Sequence, residues 1–148
     1  MRLTVYYDES CPLCRGEINA LRQADVYGEV DWIDCSPAAF RDEACERAGI
    51  GRDALMRVLH LRTVDDRWLT GPEAFAPLYG QLGKPIVAKL WDHPLVRPFW
   101  RIVYPLVARH RQWLSRIGVA RAFAAWAHPV AARAAARRAR CAPASCQR

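Results

Sequence analysis

No stretch of this 148-residue chain approaches the roughly 18 uncharged apolar residues that a membrane span needs. The N-terminal "MRLTVYYDES" has one arginine and a short apolar run broken by acids. It lacks the longer apolar core and small-residue cleavage site of a secretory signal. Both absences point to the cytoplasm, where the six cysteines are not expected to form a structural disulfide framework. Acids run out along the chain: residues 94–148 carry 11 arginines and no aspartate or glutamate, a charge of +11. Residues 1–93 carry 11 Lys+Arg against 15 Asp+Glu, a charge of −4. The net +7 thus hides a mildly acidic body and a basic, Arg/Ala/Trp-rich C-terminal part, with a break expected near Lys84-Pro85 or His93-Pro94. There is no second Cys-x-x-Cys and no His-x3–5-His, so four zinc ligands at the usual spacing are missing. No internal repeat is present. What remains, 52% apolar and 25% charged residues, is the composition of a globular protein rather than a disordered one.

Residues 2–7, "RLTVYY", read as a strand: short, β-branched and aromatic, ended by polar residues. Ser10 is a good helix N-cap, Pro12 suits a first turn, and Cys14, Ile18 and Leu21 share one helical face, which predicts a helix from Pro12 to about Ala24. Residues 29–35 read as a second strand. Ser36, Pro37 and Gly49 bracket a second helix over 36–49, with Phe40 and Ala44 inward. Residues 55–71 read as a hairpin around Asp65-Asp66. Thr70 and Glu73 stand at capping-box spacing before a helix that carries Phe75, Leu78, Tyr79 and Leu82 and stops at Gly83. The order β-α-β-α-β-β-α implies a parallel pair extended by antiparallel strands. Farther on, Phe99, Ile102, Val103, Leu106, Val107, His110, Trp113, Leu114 and Ile117 form the apolar stripe of a long amphipathic helix that contains Pro105. Three regions follow: 1–83 as the α/β domain, 84–128 as a helical extension and 129–148 as a basic, flexible tail.

Cys11-Pro12-Leu13-Cys14 falls at the strand-to-helix junction. A helix N-terminus offers unpaired N–H groups and partial positive charge, which favour a thiolate, the nucleophile of disulfide exchange. The spacing lets the two sulfurs close a small disulfide, and the βαβ context makes the motif thioredoxin-like. Cys11 is expected to be the exposed, attacking thiol, and Cys14, on the Ile18/Leu21 face, the more buried, resolving one. Asp8 has two open readings: it tunes or deprotonates a thiol, or it caps the turn into the helix. Glu9 is expected to be solvated. Arg15 either counters these acids or is an inert surface charge. The pair itself has two alternatives to redox chemistry: a metal site, to which Cys35 is the candidate third ligand, or no chemistry.

With Asp8, Cys11 and Cys14 in an Asp-x-x-Cys-x-x-Cys motif, with "MRVLHLRTVDDRWLTGPEAFAPLYGQL" in the middle and "YPLVARHRQWLSRIG" beyond, the chain resembles the DCC family of thiol-disulfide oxidoreductases over about residues 3 to 118. The resemblance implies a thioredoxin-like mixed sheet flanked by helices, here with an α-helical C-terminal extension. It also implies exchange with a disulfide-containing substrate protein or small thiol, and no cofactor beyond the two sulfurs. One departure stands out. The wider thioredoxin class carries a cis-proline before the strand that faces the pair. This chain has no proline between Pro37 and Pro72, and residues near Met56 are expected in its place.

Cys35 and Cys45 read as small buried apolar residues, and Cys141 and Cys146 as incidental thiols of the tail. His60 reads as structural. His93, His110 and His128 share no ligand spacing. Trp32, Trp91, Trp100 and Trp113 read as packing residues. The 11 C-terminal arginines leave a rival reading, a binding module whose basic helical end makes weak contact with an anionic partner, membrane surface or nucleic acid.

Overall fold

The computed structural model describes residues 2–116. Its first strand, β1 (Leu3–Tyr7), is buried along its whole length. It hands over through a tight turn to α1 (Pro12–Ala24), which returns the chain to β2 (Val30–Asp34), parallel to β1 with Val5 opposite Trp32. Two short helices follow, α2 (Glu43–Arg47) and α3 (Arg52–Leu55). The hairpin β3 (His60–Arg62) and β4 (Trp68–Thr70) then pairs antiparallel on the other side of β1, with Val5 opposite Leu61. The sheet order is β2-β1-β3-β4. This mixed four-stranded sheet with helices packed against it is consistent with a thioredoxin-like fold. Three helices complete the described chain: α4 (Pro72–Gln81), α5 (Pro85–Asp92) and α6 (Arg97–Arg116).

Successive residues of a strand point to opposite faces, and β1 feeds two cores. Leu3, Val5 and Tyr7 pack with Ile18, Leu21, Leu78 and Leu82. Tyr6 packs on the other side with Cys35, Cys45 and Leu55. Each fully buried Leu or Ile here contributes about 1.5–3 kcal/mol. The C-terminal helices are tied on by aromatic rings. Phe75 of α4 stacks on Trp91 of α5 at 4.6 Å, and Trp91 stacks on Trp100 of α6 at 4.3 Å. Phe75 also meets Tyr104 of α6 edge-on at 5.9 Å.

Several local expectations are corrected. The N-cap of α1 is Cys11, not Ser10, because the Ser10 N–H and hydroxyl both go to Asp8 Oδ1. The helix expected over 36–49 shrinks to α2, because Ser36 spends its N–H and hydroxyl on Asp34 and Asp42 takes over as cap, accepting from the Cys45 N–H at 2.9 Å. Leu55 belongs to α3 rather than to the hairpin. Thr70 pairs with His60 in the sheet, so the cap of α4 passes to Gly71. At φ 55°, ψ −129° only glycine is at ease, and a Cβ there would stand 2.9 Å from Tyr104 Cε1. The long stripe of α6 is divided. Val103 and Val107 turn inward, with Tyr104 between them, whereas Phe99, Ile102, Leu106 and Trp113 are exposed. Trp113 is therefore not a packing residue. Ile117 and the tail cysteines lie outside the described residues, and nothing is described of the Leu114 side chain.

Candidate active site

The turn between β1 and α1 is built on carboxylates. Asp8 is buried, and its Oδ1 accepts from the Ser10 N–H at 3.0 Å while its carbonyl accepts from the Cys11 N–H at 3.4 Å. This is the turn-capping reading of Asp8, an aspartate closing its own loop two residues on. Glu9 is half-buried and bonded rather than freely solvated. Its carboxylate accepts from the Tyr7 hydroxyl at 2.6 Å, and the same hydroxyl accepts from Arg22 at 2.6 Å. Burial, together with the bond to Glu9, pushes the Tyr7 hydroxyl up from its ordinary range. The Glu9 N–H donates to Asp34 Oδ1 at 3.1 Å, pinning the turn to the end of β2. Burial alone would raise the Asp34 carboxyl, but the bonds from Ser36 and Glu9 outweigh it and hold it below its usual range. Arg15 is exposed and takes no part in the ion pairs of the described residues, Arg2–Asp31 and Arg62–Asp66.

Cys11 and Cys14 lie near each other as thiols at the start of α1. Their burial reverses the expectation: Cys11 is 1% exposed, whereas Cys14 is half-buried. Positions 11, 14, 18 and 21 are spaced 3, 4 and 3 apart, so both cysteines belong to the inward stripe of α1. The first is sunk in the Asp8 turn, and the second reaches the mouth of a groove. That groove, about 70 Å³, is walled by Asp8, Cys14 and Glu17 on one side, by the Arg57–Leu59 segment on another, and by Tyr104 and Val107 of α6 above.

Two members of this groove carry chemistry that sequence reading missed. Glu17 stands one helical turn after Cys14, and burial pushes its carboxyl up from 4.5 to about 7. The i, i+3 spacing from Cys14 was the available signal. Tyr104 accepts the backbone N–H of Leu59 at 3.3 Å across 45 residues of sequence. No sequence signal joins these two. The segment just after Met56, Arg57 to Leu59, thus lies across the groove from Cys14, while the Met56 side chain itself packs with the Tyr6 core. No cis peptide occurs among the described residues.

Cys35 and Cys45 sit with Tyr6 on the opposite face of β1, away from the Cys14 groove. Burial pushes the Cys35 thiol up to about 12 and the Cys45 thiol up to about 11. Cys35 therefore does not join the pair, and no cluster of three or more His, Cys, Asp or Glu side chains suited to a metal occurs among the described residues. His60 is buried, with Nδ1 3.0 Å from the Val58 carbonyl, and burial lowers its pKa. Among the described residues no helix is long and apolar enough to cross a membrane.

A Cys-x-x-Cys at the first strand-to-helix junction of such a sheet defines a thioredoxin-like protein with a redox-type motif. The chain belongs to the DCC1-like thiol-disulfide oxidoreductase family, which matches residues 5–117. It is 26% identical over 111 residues to a chloroplastic protein of Arabidopsis thaliana described as uncharacterized. That match covers 74% of this chain and 51% of the plant protein, so the chain spans about half the length of this curated relative. No solved structure matches the chain.

Proposed function

We propose that the chain exchanges thiols and disulfides through Cys11 and Cys14. The observation that carries this reading is the half-buried Cys14 facing a groove beside Glu17, with Cys11 at the N-terminus of the same helix. The sequence assigned the first attack to Cys11; access supports Cys14. Glu17, titrating near neutrality, takes the Cys14 proton. The Cys14 thiolate attacks one sulfur of a substrate disulfide, the S–S bond breaks, and the departing sulfur leaves as a thiolate that recovers the proton. A mixed disulfide now joins Cys14 to the substrate. The helix N-terminus favours the Cys11 thiolate, which attacks Cys14 Sγ, forms the Cys11–Cys14 disulfide and releases the second substrate thiol. The substrate gains two electrons and the pair loses them. With an oxidised pair the same steps run backward.

The substrate is a disulfide-bearing protein or a small disulfide, and in a reducing cytoplasm the direction is substrate reduction. Asp8 acts here as a positioning residue, holding the turn that sets the two sulfurs. Single Cys→Ser variants test the order, made with Cys141 and Cys146 also replaced. Cys11→Ser is expected to trap a mixed disulfide through Cys14, and Cys14→Ser to trap none. Trapping by Cys14→Ser alone would reverse the order of attack. If neither variant traps a partner, and the wild-type pair stays reduced from about −350 to −150 mV, the exchange reading fails.

A further inference from the structure

The outward side of the C-terminal helices is apolar in a way the fold does not require. Leu95, in the turn before α6, and Phe99, Ile102, Leu106 and Trp113 are each between 55 and 80% exposed. Within α6, Phe99, Ile102, Leu106 and Trp113 step by 3, 4 and 7 residues, which at 100° per residue keeps them within one narrow stripe. On that same wheel Arg109 falls on one edge and His110 on the other, and both are exposed. Two further large apolar residues, Ile86 and Leu90, are exposed on α5. Isolated exposed leucines need no explanation, but a contiguous stripe of this kind marks an interaction surface.

We propose that this stripe docks α6 flat on an anionic lipid surface, its apolar side chains in the acyl boundary and Arg109 at its edge among the headgroups. Charge selects this occupant. Residues 94–148 hold 11 arginines and no acid. A second copy seating its own stripe there would bring Arg109 to a helix that carries no carboxylate to pair with it. The chain beyond residue 116 would bring the same sign, since it too has no acid. Nucleic acid phosphates would suit the arginines but would leave Leu95, Ile102 and Leu106 in water. A bilayer interface takes both the aliphatic side chains and the cations, as interfacial amphipathic helices do. The stripe lies opposite Tyr104 on the helical wheel, so docking leaves the Cys14 groove roofed by α6 as described.

The test is co-sedimentation of the full chain with vesicles of phosphatidylcholine containing about one-third phosphatidylglycerol, against pure phosphatidylcholine. Binding to the anionic vesicles is expected to be at least about tenfold tighter than to the neutral ones, and to weaken but persist in high salt because part of it is apolar. Ile102→Glu with Leu106→Glu is expected to lose at least about tenfold in affinity with an unchanged melting curve. Ile102→Ser with Leu106→Ser repeats the loss without adding charge, and Arg109→Glu weakens binding severalfold. The proposal is overturned if anionic vesicles are not bound, or if the glutamate and serine variants bind as the wild type does. It is overturned equally by a wild-type dimer in ultracentrifugation that these variants make monomeric, or by a DNA duplex that binds where vesicles do not.

Discussion

The two faces of β1 hold two pairs of cysteines: Cys11, Cys35 and Cys45 are all buried, and the pairs differ in the access of Cys14 and in what surrounds the sulfurs. Cys35 and Cys45 are sealed with Tyr6 and Leu55, and burial drives both thiols well above their ordinary range. Cys11 and Cys14 sit at a helix N-terminus, and Cys14 looks into a groove that also holds Glu17. The comparison teaches that reactivity in this chain depends on the face of the sheet. Tyr7 points to the side where a groove is left open under α6. Tyr6, next to it, points to the side where packing closes completely.

The sharpest way to break the comparison is alkylation. In the reduced native protein at pH 8, Cys14 should be labelled at least roughly a thousandfold faster than Cys35 or Cys45, which lack both access and thiolate. Mass-spectrometric mapping reads this directly, and similar rates on both faces would abolish the distinction. Next in size is the roof of the groove. Gly71→Ala forces a side chain into a positive-φ position against the Tyr104 ring. It should cost about 2–3 kcal/mol and speed Cys14 labelling while leaving Cys35 protected. A variant that melts like the wild type would show that α6 does not depend on this contact.

Glu17→Gln should act through pH. The Glu17 carboxyl is raised in the fold, so its contribution to stability is present in acid and is lost as pH rises from 4.5 through about 7. The variant should be about 1–2 kcal/mol more stable than the wild type at pH 8 and nearly level with it at pH 4, partial exposure keeping the gain below the full linkage value. Denaturation midpoints at the two pH values decide it, and a pH-independent difference would remove Glu17 from the titrating groups. The smallest effect belongs to Tyr104→Phe. It deletes one hydrogen bond to Leu59 and should cost about 0.5–1.5 kcal/mol, with a modest rise in Cys14 labelling and none at Cys45.

Much of the site was legible because its signals are local. A β-branched and aromatic run ending at acids, followed by Pro12 at a first helical turn, placed β1 and α1 where the structure has them. Asp8, Cys11 and Cys14 came from one short motif. Failures arose wherever two local partners competed or a distant element decided. Ser36 and Thr70 both looked like caps, yet Asp34 claimed the first and the pairing with His60 claimed the second. The α6 pattern holds two overlapping apolar sides, and only packing on α1, α4 and α5 selects the side that carries Tyr104. The burial of Cys11 followed from the same 3-4-3 spacing used to bury Cys14, with the tight Asp8 turn adding a lid that periodicity does not encode.

The bond between Leu59 and Tyr104 spans 45 residues, and this gives the site a history during synthesis. The floor of the groove, from β1 to β4, leaves the ribosome before its roof. At about 5–20 residues per second, Tyr104 follows Thr70, the end of β4, by roughly 2–7 s, whereas loops and hairpins close in microseconds. For that interval a nascent sheet displays Cys14 and Glu17 uncovered. The Cys14 thiol is therefore more approachable before α6 has emerged than after it has packed over the groove.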